Sequence, residues 1–136
     1  MRGGWRQAAA LAAIGAVIGA ALAAAAPAVA AGEGQISVGS FLARANALKA
    51  KGIAALFSSE IKTLRGIGQA AGAEYRARLA QERAAGRPSS CPPPKVEIGN
   101  DQFLAHLETY PAAARDRTTL TTAIGDLFAR KWPCKG

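Results

Sequence analysis

SSEIKTLRGIGQAAGAEYRARLAQERAAG, residues 58–86, is the stretch that decides the fold. Ser58 and Ser59 offer hydroxyls for a helix start, and Gly86 offers a stop. At 100° per residue, Ile61, Leu64, Ile67, Ala71, Tyr75 and Leu79 share one arc of about 120°. The spacing therefore predicts a long amphipathic helix over about 59–85, with one core-facing stripe. Gly66, Gly68 and Gly72 each weaken such a helix by about 1 kcal/mol relative to Ala. Gly68 and Gly72 lie on or beside the apolar arc, so the expectation is another helix approaching closely there. A break near Gly66–Gly68 is the alternative.

Before this stretch, Ser37-Val38-Gly39-Ser40 supplies capping hydroxyls, and Phe41, Leu42, Ala45 and Leu48 follow at helical spacing up to Gly52. This predicts a first helix, about 38–51, and a short apolar link over 53–57. On the other side, Arg87-Pro88-Ser89-Ser90-Cys91-Pro92-Pro93-Pro94 is too rich in proline for helix or central strand. It reads as an extended linker that continues through Lys95–Ile98. Asn100 is expected to cap a third helix, about 101–110, stopped by Pro111, with Ala112–Asp116 as connector. Thr118 or Thr119 caps a fourth helix, about 119–131, with Leu120, Ala123, Ile124, Leu127 and Phe128 inward. No sustained alternation or hairpin chemistry appears in the sequence. The expected fold is a small all-α bundle of about four helices.

Residues 1–31 bear on location. Arg2 and Arg6 precede an apolar run from Ala8 to Ala26, and Pro27-Ala28-Val29-Ala30-Ala31 ends it. This order matches a secretory signal peptide with an A-x-A site at Ala28 and Ala30. Cleavage is expected after Ala30, or else after Ala31, which gives a signal segment 1–30 and a domain 31–136. A retained membrane anchor is the competing reading, but Ala dominates the run and Pro27 breaks it. The expected location is the periplasm, with no stable membrane anchor after cleavage.

Without Arg2 and Arg6 the chain keeps 15 of its 17 Lys/Arg against 9 Asp/Glu, a net charge of about +6. A domain of this size is marginal without a staple. Cys91 and Cys134, the only cysteines, are expected to form a disulfide in an oxidising compartment. Intermolecular pairing or a free thiol are the alternatives. Two distant cysteines and the single His106 are too few for a metal site.

Catalytic equipment is sparse. The sequence has no G-x-S-x-G turn, zinc motif or Gly-rich phosphate loop, and its carboxylates are scattered. His106 reads as a boundary or partner-facing residue rather than a general base. We expect no catalytic residue, cofactor or metal. The sharpest surface feature is basic: Arg65, Arg76, Arg83 and Arg87 fall within about 40° on the long helix, with Lys62 beside them. Export argues against nucleic acid as partner, as does having Trp132 alone for indole stacking after the cut. The stripe is either a solvated face or a docking surface for an acidic partner. Trp132, Tyr110 and Phe57 are the candidate aromatic anchors, or else core.

Two segments together resemble a known family. One is Ser90-Cys91-Pro92-Pro93 followed by Asp101-Gln102-Phe103-Leu104-Ala105-His106-Leu107. The other is Tyr110-Pro111-Ala112-Ala113-Ala114-Arg115, then a capped helix ending Lys131-Trp132-Pro133-Cys134. This layout, over about 90–136, resembles the resistance-associated immunity-protein domain of type VI secretion. The resemblance implies a periplasmic, non-enzymatic helical protein that neutralises a peptidoglycan amidase toxin, with a Cys91–Cys134 bridge and a tendency to dimerise. The family commonly has a second cysteine pair in its first half. This chain has Ala45 and Ala47 in the first helix and no further Cys. The alternative expectation is an envelope-associated structural or stress protein that binds anionic lipid or cell wall through the arginine stripe.

Overall fold

The computed structural model describes residues 35–135. The expected signal segment, with Ala28, Ala30 and Ala31, lies outside the described residues. Within them the chain forms five α-helices: α1 (Val38–Ala50), α2 (Ser59–Ala84), α3 (Asn100–Glu108), α4 (Ala112–Arg115) and α5 (Leu120–Lys131). A 3-10 helix, Gly52–Phe57, joins α1 to α2. No strand is present among the described residues, so the all-α expectation holds. The four anticipated helices are all found, and two short ones add to them. The 53–57 link is the 3-10 helix, and part of the 112–116 connector is α4.

The caps explain most boundaries. The Ser37 hydroxyl accepts from the Ser40 N–H at 3.1 Å, Ser58 from Glu60 at 3.3 Å, and Thr119 from Thr122 at 3.1 Å. Gly52 and Gly86 hold φ of 56° and 72°, values that other residues adopt only at a cost. Asn100 is not a cap. Helix α3 begins at Asn100 itself, behind Gly99, which is extended and offers no side-chain acceptor.

Helix α2 runs unbroken through its glycines, with Leu64, Ile67, Ala71, Tyr75 and Leu79 buried as the stripe predicts. They pack with Val38, Phe41, Leu42, Leu107, Leu120, Ile124 and Phe128 in one core. Helix α5 is the main partner of α2, and Gly125 is where the two come close. A Cβ on Gly125 would lie 3.1 Å from a Tyr75 ring carbon and 2.6 Å from the Arg78 guanidinium. The expected close approach at Gly68 and Gly72 is not found: a Cβ on Gly68 would meet nothing within 4 Å, and one on Gly72 only the Arg76 side chain at 3.7 Å.

The N-terminal ends of α1 and α5 are tied back to back. The Val38 N–H donates to the Thr118 carbonyl and the Leu120 N–H to the Ile36 carbonyl, both at 2.8 Å, around an isolated Ser37–Thr119 bridge. The proline-rich linker is fixed just as firmly. Cys91 and Cys134 form a disulfide that closes 43 residues, and the Cys91 N–H donates to the Trp132 carbonyl at 2.8 Å. The buried hydroxyls of Tyr75 and Ser90 bond at 2.6 Å, which attaches the linker to α2 as well.

Candidate functional site

Beside the α2–α5 contact lies a groove of about 670 Å³, lined by α1, α2, α3, α5 and the linker before α3. Phe41, Ala45 and Leu48 of α1 contribute to its lining, as do Val96 and Ile98 of the linker and Phe103 and Leu104 of α3. Ile61, Leu64, Gly68 and Gly72 of α2 also line it, together with Ile124 and Phe128 of α5. The glycines thus hold the groove open where a longer side chain would fill it. Phe41 and Phe103 meet edge to face at 5.8 Å. Lys49, Arg65 and Arg76 contribute the cationic side chains of the lining, against a single carboxylate, Asp101. An apolar cleft with a net positive rim suits an apolar projection that carries acidic groups.

The four stripe arginines do not act as one set. Arg65 and Arg76 line the groove. Arg83 sits in the last turn of α2, and Arg87 lies beyond the helix end, where a helical wheel no longer places it. Arg78, which the stripe omitted, stacks over the Tyr75 ring at 5.1 Å and pairs with Glu82. Ser89 donates from both its N–H and its hydroxyl to Glu82, and these bonds hold that carboxyl below the usual range.

Of the aromatic candidates, Trp132 is half-buried and meets Phe128 edge to face at 5.0 Å. Tyr110 is half-buried, and its hydroxyl donates to Asp126. Burial and that bond raise the phenol well above its ordinary range. Phe57 alone is fully presented, 88% exposed.

His106 differs from its expected boundary position. It is buried, its Nε2 lies 2.7 Å from the Ala123 carbonyl, and the Arg130 guanidinium is bonded to Nδ1. An arginine can only donate, so Nδ1 accepts and Nε2–H donates, which fixes a neutral tautomer. Burial is the main reason its pKa is lowered, and Arg130 adds to it. Both ring nitrogens are engaged, and the imidazole joins α3 to α5. Arg115 of the Tyr110–Arg115 segment also has a structural task. It donates to the carbonyls of Tyr110 (3.0 Å) and Glu108 (2.8 Å), at the end of α3.

Among the described residues, no group of three or more His, Cys, Asp or Glu could hold a metal ion. Also among them, no helix is long and apolar enough to cross a membrane. Comparison with family models, with curated proteins and with solved structures found no match for this chain.

Proposed function

We propose that this chain is an exported, periplasmic, non-enzymatic binding protein of the type VI secretion immunity kind. Its partner is a peptidoglycan amidase effector, and its groove seats an apolar, acid-bearing projection of that enzyme. The groove is the observation that carries the reading: Gly68 and Gly72 leave it unfilled, and Lys49, Arg65 and Arg76 give it a positive lining. The sequence layout over 90–136 and the signal-like start support export and the immunity role. A stable inhibitory complex buries about 1,200–2,000 Å² in total, so contacts extend beyond the groove onto its rim.

The test is growth competition against a type VI attacker that delivers an amidase, with and without this gene. Protection by the wild-type chain, weakened by Arg65→Gln and Arg76→Gln together, is the expected result. A wild-type chain that protects against no amidase overturns the immunity reading. Protection unchanged in the double variant overturns the role of the groove's arginines.

A further inference from the structure

Between α1 and α2, the 3-10 helix Gly52–Phe57 carries Ile53, Leu56 and Phe57 at 81%, 70% and 88% exposure. Six consecutive residues here contribute nothing to the buried core. Three large apolar side chains so fully presented form a protruding tip rather than a wall of the groove, and such a patch on a small chain marks a contact surface.

The charges around the tip say what kind. Lys49 and Lys51 precede it, Lys62 follows it, and all three are exposed. Glu60 is the sole carboxylate between Lys49 and Lys62, and Arg44 holds it at 2.6 Å. A projecting apolar tip in a cationic collar matches the surface of an anionic bilayer. The aromatic and aliphatic side chains enter the headgroup boundary, and the lysines meet the lipid phosphates. A protein partner would need a pocket shaped to receive the tip, whereas a lipid surface yields to it.

We propose that the Gly52–Phe57 tip docks this protein reversibly on anionic phospholipid. This rests on the proposed export but not on the immunity role, and of the tip residues and their lysines only Lys49 also lines the groove.

The probe is vesicles of phosphatidylglycerol in phosphatidylcholine, compared with phosphatidylcholine alone. The protein is the processed chain purified from the periplasm, because the uncut chain retains the apolar run Ala8–Ala26. Co-sedimentation at low salt is expected with the anionic vesicles only. Ile53→Ser, Leu56→Ser and Phe57→Ser combined should weaken it roughly tenfold or more, with the unfolding midpoint retained because these side chains lie outside the core. Lys51→Gln with Lys62→Gln, neither of which lines the groove, should weaken it more than the charge-matched Arg83→Gln with Arg87→Gln at the far end of α2. Three outcomes overturn the proposal. These are binding that survives the triple serine variant, equal losses in the two charge-matched pairs, or a lipid-free oligomer that the serine variant dissolves, which would make the tip a protein interface.

Discussion

The two sides of α2 use glycine for opposite ends. Toward α5, Gly125 lets the Tyr75 ring lie against the opposing backbone, and Tyr75 then meets Phe128 edge to face at 5.0 Å. Toward the groove, Gly68 and Gly72 have nothing, or only the end of Arg76, where their side chains would be. One side spends its missing side chain on packing, and the other leaves it as space. A glycine on an apolar helical arc therefore has two meanings, and only the position of the neighbouring element decides between them.

The packed side should be the sensitive one. Replacing Cys91 and Cys134 together by Ala frees the linker and the C-terminus. The loss expected for a closed loop of 43 residues is about 4 kcal/mol in denaturant unfolding. Gly125→Val has no room beside Tyr75 and Arg78, and about 2–3 kcal/mol of destabilisation is expected by the same measurement. A near-neutral Gly125→Val would erase the contrast between the two sides. Tyr75→Phe removes the hydroxyl that bonds to Ser90 and leaves that buried group short of a partner, at a cost of about 1–3 kcal/mol.

A pH effect separates the packed side further. The His106 pKa is lowered in the fold, so the unfolded chain binds its proton first as pH falls. This contribution to stability is complete above the ordinary histidine value of 6.5 and declines as pH drops below it toward the folded pKa. His106→Gln should remove that slope between neutral and mildly acidic pH, measured by denaturant midpoints. On the open side the sign reverses. Gly68→Ala and Gly72→Ala meet no obstacle and should stabilise by up to about 1 kcal/mol each through helix propensity.

The helices were legible because their signals are local. The 3.6-residue rhythm of Leu64 to Leu79 and the hydroxyls of Ser37, Ser58 and Thr119 need no tertiary information to be read. The Cys91–Cys134 bridge followed from there being two cysteines and an exported-looking start. What the sequence hid depends on contacts distant along the chain. His106 is buried because α5 brings Ala123 and Arg130 to it, and no residue near it in sequence announces that. The Ser37–Thr119 bridge joins segments with no shared motif. The groove left a trace in Gly68 and Gly72, but the same trace fitted a close helix contact. The arginine periodicity carried past the helix end to Arg87, beyond the range where a wheel applies.

The proposed function requires the open side of α2 to be a seat for a protein partner and not unfinished packing. Gly68→Leu with Gly72→Leu fills that seat while leaving the Gly125–Tyr75 contact in place. Binding of residues 31–136 to the amidase proposed as partner, measured by calorimetry, is the direct test. An unfolding midpoint at or above that of the wild type, with affinity lowered roughly a hundredfold, is the predicted result for a blocked groove. Full affinity with both leucines in place would contradict it.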